Sequence, residues 1–139
     1  PWCIVPHKEG SIRPASPIRE FIGNKRRAVL LDNNVLASDF GLEQIEEIVR
    51  MGIAVDFNQG LDARRACDDP YILDLLSRVK WIRHIRFACD TRAQIEPVLK
   101  CIRELEQRRA LCGLSSGGST DIVFLSIALS KKLMMRCSD

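Results

Sequence analysis

Three short apolar runs in this chain each stop at a cluster of carboxylate, amide or hydroxyl side chains. Ala28, Val29, Leu30 and Leu31 give way to Asp32, Asn33 and Asn34. Residues 53–56 lead into Phe57, Asn58, Gln59 and Gly60, with Asp62 close behind, and residues 82–88 lead into Cys89, Asp90 and Thr91. Asp32, Asp62 and Asp90 could supply the oxygen ligands of a divalent cation, the chemistry of a metal-dependent hydrolase or phosphotransfer domain. Asp32 could equally cap the turn that follows it. A second candidate lies near the start, where Trp2 precedes Cys3. Cys3 and His7 have the spacing of half a zinc site, but no second pair with ligand spacing follows.

Amphipathic segments separate the apolar runs. Ser16–Pro17 reads as a helix start with a capping hydroxyl and a proline at the first helical position, and Ile18, Phe21 and Ile22 form its apolar stripe before Gly23–Asn24. Ser38 or Asp39 caps a second helix, with Leu42, Ile45, Ile48 and Val49 on one face and Gly52 as its left-handed stop. Asp62–Arg65 suggests a short helical turn, with Asp62 and Arg64 able to pair. Asp69–Pro70 opens a helix that buries Ile72, Leu73, Leu76 and Val79. Thr91 and Gln94 form a capping box ahead of a long helix carrying Ile95, Val98, Leu99, Ile102 and Leu105. Pro97 implies either a kink or a true start near Glu96. Strands at 28–31, 53–57 and 82–88 alternating with helices predict α/β architecture with a parallel sheet. In such folds the C-terminal strand ends share one rim, and that rim carries the chemistry.

Composition bounds the rest. The 139 residues fit one domain or part of one, with 46% hydrophobic and 28% charged residues, as in ordinary globular chains. No run approaches the roughly 18 apolar residues of a membrane span, so no membrane partner is expected. A net charge of +3 does not indicate nucleic acid. Six cysteines at irregular spacings point to reduced thiols in the cytoplasm. Cys67, Cys101, Cys112 and Cys137 read as small apolar or loop residues, whereas Cys89, at a strand end, has a better claim to face the rim. The Gly/Ser loop 112–120 lacks the lysine of a phosphate loop and reads as a linker.

Pro1-Trp2-Cys3-Ile4-Val5-Pro6, then Glu9-Gly10 and Ile12-Arg13, resembles the segment that closes the cluster motif C-x3-C-x-Φ-C of radical S-adenosylmethionine (radical SAM) enzymes. Residues 1–22 are similar to the methylthiotransferase branch. VLLDNN, DFNQGLDAR and RFACDT are more similar to members described as Fe–S oxidoreductases. The resemblance covers about the first three quarters of the chain.

It implies a partial (β/α) barrel of the radical SAM type, with its first and later strands outside residues 1–139 and two further cysteines ahead of Pro1. Cys3 would then be a ligand of a [4Fe–4S] cluster whose open iron chelates SAM. Cleavage of SAM would give a 5′-deoxyadenosyl radical that abstracts hydrogen from a substrate the sequence does not specify. Asp32, Asn33 and Asn34 stand where many relatives carry Gly-Gly-Glu against the SAM ammonium; an Asp accepts from an ammonium, and an Asn accepts or donates. Asp90 and Thr91 fall where relatives place ribose contacts, and Asn58 and Gln59 share the rim. The resemblance also implies an electron donor such as flavodoxin or ferredoxin.

The run 122–127 can serve as a further strand. Residues 128–139 do not resemble the family's next helix, and a reading-frame change near Arg109–Gly113 is expected to account for that. The parent would be an enzyme and this piece alone inactive, since a whole barrel needs roughly 200 residues or more and missing strands leave an exposed edge.

Overall fold

The caps written into the sequence set most of the helix starts. A computed structural model of the chain describes residue 14 and residues 16–31 and 34–111. Cys3, Asp32, Asn33 and the run 122–127 lie outside the described residues. The element order is α1 (Ile18–Ile22), β1 (Arg27–Leu30), a 3₁₀ turn (Val35–Ala37), α2 (Asp39–Met51), β2 (Ala54–Phe57), β3 (Leu61–Asp62), α3 (Ala63–Asp68), α4 (Pro70–Arg78), β4 (Lys80–Trp81), β5 (Phe87–Ala88), a second 3₁₀ turn (Arg92–Gln94) and α5 (Ile95–Leu111).

Ser38 caps α2 by accepting from the Gly41 amide at 3.1 Å, and Gly52 ends that helix in the left-handed conformation. Asp69 caps α4, with Pro70 at the first helical position. The capping box of Thr91 and Gln94 is present, but the turn it opens is 3₁₀, and α5 proper begins at Ile95. Pro97 then falls in the first turn, where its missing N–H has no intrahelical acceptor to lose, and no kink is needed.

The start of α1 departs from the sequence expectation. Pro17 occupies the cap position without a side-chain hydrogen bond, and Ser16 does not cap. The Ile18 amide instead donates to Gln44 Oε1 of α2 at 2.8 Å. Glu47, also on α2, receives Arg19 of α1 and Arg50. The helix is thus capped and held by its neighbour. Ile18 and Ile22 are buried against the core, while Phe21 is 73% exposed.

Every strand pair among the described residues is parallel: β1 with β2, β2 with β4, and β3 with β5. Helix α2 makes the crossover from β1 to β2, and α3 with α4 lie within the crossovers from β2 to β4 and from β3 to β5, as parallel pairing requires. Helix α5 packs on α3 and α4. The core gathers Ile45 and Ile48 of α2, Val55 and Phe57 of β2, Leu75 and Leu76 of α4, and Cys101 and Leu105 of α5. Ile95 and Leu99, expected in the buried stripe of α5, are each 40% exposed; the buried face is Val98, Cys101, Ile102 and Leu105.

The expected third strand, 82–88, is not continuous. Lys80–Trp81 pairs with β2, residues 82–86 leave the ladder, and Phe87–Ala88 pairs with β3. The second strand is interrupted at the same level, through residues 58–60. Ala54 faces Lys80, Val55 faces Trp81, Leu61 faces Phe87 and Asp62 faces Ala88, so the offset of 26 residues survives the break. Gly60 makes the return possible: its φ is +83°, and a Cβ there would lie 3.1 Å from the Ala88 nitrogen. One pair of strands is opened in the middle and closed again in register. Among the described residues the sheets do not close into a ring, and β1 is an edge strand with Val29 exposed, as is Leu31 just beyond its end. No described helix is long and apolar enough to cross a membrane.

Candidate functional site

The opening between the paired strands is occupied by charge. Arg86 Nη1 donates to Asp56 Oδ1 at 2.7 Å and to Asn58 Oδ1 at 3.0 Å. The Asp56 and Arg86 side chains are only 8% and 17% exposed. A buried carboxylate needs a cation and hydrogen bonds to offset its desolvation, and Arg86 provides both across the gap. With its carbonyl oxygen turned to Arg86, Asn58 keeps its amide NH₂ as a donor. The Asn58 backbone amide bonds to the Leu30 carbonyl at 3.1 Å. The end of β1 therefore lies level with the Asn58–Gln59 turn.

Asn34 and Asp62 meet in an open cleft of about 760 Å³. Its walls are Asn34, Ser38 and Asp39 on one side and Asp62, Arg64, Arg65, Asp68 and Asp69 on the other, with Leu36, Leu42 and Ile72 among the apolar lining. Asp62 caps α3 and pairs with Arg64. Its Oδ1 accepts from the Arg64 amide at 3.0 Å and from Nε at 3.2 Å, and Oδ2 accepts from Nη2 at 3.2 Å. Both oxygens are thus engaged by a guanidinium, an arrangement that competes with a divalent cation for the same lone pairs. No group of three or more His, Cys, Asp or Glu side chains that could hold a metal ion is found among the described residues.

Burial alone would raise the Asp62 carboxyl, but the side-chain and backbone hydrogen bonds and the charge of Arg64 hold it below the usual carboxylate range. A carboxyl depressed in the folded state contributes stability that is present above its unfolded pKa and lost as the pH falls through the folded value. Asp62→Ala should therefore cost about 1 kcal/mol at neutral pH, the usual worth of such a cap. The gap between wild type and variant should narrow below about pH 4. Urea midpoints at neutral and acid pH measure it; a gap that widens in acid contradicts the assignment.

Asp90 and Thr91 are exposed and serve the start of α5. Gln94 Oε1 accepts from their backbone amides at 2.6 and 2.9 Å and from the Thr91 hydroxyl at 3.3 Å. Gln59 is exposed in the turn after β2. Neither Asn58, Gln59, Asp90 nor Thr91 lines the cleft that Asn34 and Asp62 share. Cys89 is buried in the core, not displayed at the strand end.

Two features were not singled out from the sequence. Asp56 is a carboxylate inside an apolar strand, and such a residue signals a buried cation nearby; Arg86 is that cation. Cys67 and Cys101 read separately as packing residues, yet their sulfurs lie 2.8 Å apart. Comparison with known proteins gives no match among family models, curated proteins or solved structures.

Proposed function

We propose that this chain is part of a radical SAM enzyme: a partial (β/α) barrel in which Cys3 helps hold a [4Fe–4S] cluster and the strand ends hold S-adenosylmethionine. The observation that carries the reading is the residue set Trp2-Cys3-Ile4-Val5-Pro6 combined with polar runs at successive strand ends. The parallel winding of β1, β2 and β4, and the level at which β1 ends beside Asn58, support it. So do Val29 on the edge strand and Leu31 just past its end, exposed apolar side chains that further barrel strands would cover.

The donor set fits the nucleotide's chemistry. Asp32 would accept from the ammonium, with Asn33 and Asn34 completing its shell. The free NH₂ of Asn58, with Gln59, would meet oxygen acceptors, and Asp90 and Thr91 would meet ribose hydroxyls. Thr91 would do so through oxygen lone pairs, since its proton is directed at Gln94. Arg86 would act one step back, fixing the Asn58 rotamer. Cluster and nucleotide, when bound and reduced by a flavodoxin- or ferredoxin-like donor, supply a carbon-centred radical for hydrogen abstraction.

Titration of SAM into the full-length parent, loaded anaerobically with its cluster, tests the rim. Asp32→Ala and Asn34→Ala should each weaken binding by roughly tenfold or more, the worth of one charge-assisted hydrogen bond. Unchanged affinity in both variants would place the nucleotide elsewhere.

A further inference from the structure

Helices α3 and α5 meet through two thiols that no part of the proposed chemistry uses. Cys67 is half-buried, and Cys101 is fully buried. Their contact is reciprocal. Cys67 Sγ lies 3.1 Å from the Pro97 carbonyl, four residues before Cys101, and Cys101 Sγ lies 3.2 Å from the Ala63 carbonyl, four residues before Cys67. The sulfurs themselves are 2.8 Å apart. A disulfide needs about 2.05 Å, so closure asks for less than about 1 Å of movement. The two helix faces already hold both sulfurs in place.

We propose that Cys67 and Cys101 form a reversible disulfide that clamps α3 to α5. The oxidant class is a low-molecular-weight disulfide such as oxidised glutathione. Cys67, the accessible partner, loses its proton and attacks one sulfur of that disulfide, displacing one thiolate. Cys101 then attacks Cys67 Sγ, breaks the mixed disulfide and releases the second thiolate. The protein dithiol gives up two protons and two electrons, and the small disulfide takes them and departs as two thiols. Burial first, and then the adjacent Cys67, push the Cys101 thiol above its ordinary range, consistent with Cys101 as the resolving and Cys67 as the attacking sulfur.

The bridge spans a sequence separation of 34 residues, long enough for a large constraint on the unfolded chain. It also reaches the cleft, because α3 carries Arg64, Arg65 and Asp68 of one wall. Oxidation would tie that wall to the long helix behind it, and reduction would release it. The inference stands on thiol geometry alone and is independent of the cluster reading.

The test uses the chain incubated with oxidised glutathione or with dithiothreitol, then unfolded, alkylated and peptide-mapped, with melting followed in parallel. The expected result is one Cys67–Cys101 cross-linked peptide in the oxidised sample and a Tm higher by on the order of 10 °C than in the reduced one. Cys67→Ser should show a single Tm under both conditions. Cys101→Ala should do likewise and guards against a folding defect peculiar to either variant. Free alkylation of both residues after oxidation, a bridge from either one to another cysteine, a persistent glutathione adduct on Cys67, or a bridge that leaves Tm unchanged would each overturn the proposal.

Discussion

Arg86→Met is expected to destabilise the protein by about 3–5 kcal/mol, the usual consequence of removing one partner from a buried ion pair. Methionine preserves most of the side-chain volume, so the loss reports the charge. What remains is the Asp56 carboxylate, 8% exposed and without the guanidinium that now meets it at 2.7 Å. Asp56→Ala should cost a similar amount for the converse reason. The double variant should be less destabilised than the sum of the two, because neither charge is left alone. Urea unfolding of the four proteins closes the cycle. Single-variant losses below about 1 kcal/mol, adding without coupling, would mean that Arg86 does not hold the strand break together. The same variants bear on function, since Arg86 also fixes the Asn58 carbonyl at 3.0 Å. Losing it frees a rim amide whose orientation the fold sets through a charged partner.

The local elements were legible because each rests on a signal a few residues long. Ser38, Asp69 and the Thr91–Gln94 pair cap where their chemistry says they should, and Gly52 stops α2 as a left-handed residue. The misreadings fall where a distant partner decides. Ser16 lost its capping role because Gln44, from another helix, meets the Ile18 amide first. Leu99 has the periodicity of a core residue, but α5 turns Cys101 and Leu105 toward α3 and α4 and leaves Leu99 at its edge. The run 82–88 is apolar enough for one strand. Its interruption depends on Arg86 reaching back to Asp56, thirty positions away, and on Gly60 bending the neighbouring strand to match. Cys67 and Cys101 show the same limit: each alone reads as packing, and only the helix pairing brings their sulfurs together. Of the site residues, Asn34 and Asp62 share a cleft, Asn58 sits at the strand break, Thr91 is drawn into the capping box of the 3₁₀ turn ahead of α5, and Asp90 lends that box only its backbone amide. Periodicity locates strand ends, but it does not say which side chains the fold has already spent on itself.

The second large effect concerns Cys3. If the proposal holds, the full-length parent, in which the motif would place cysteines immediately before Pro1 and four residues further upstream, should take up roughly four irons per chain on anaerobic loading with iron and sulfide. After reduction it should give the electron paramagnetic resonance signal of a [4Fe–4S] cluster, and added SAM should change that signal by chelating the open iron. Cys3→Ala should lose most of the iron and the whole SAM-dependent change, because two thiolates do not hold the cluster at a defined open corner. Iron content and a SAM response equal to wild type in Cys3→Ala would contradict the account at its centre.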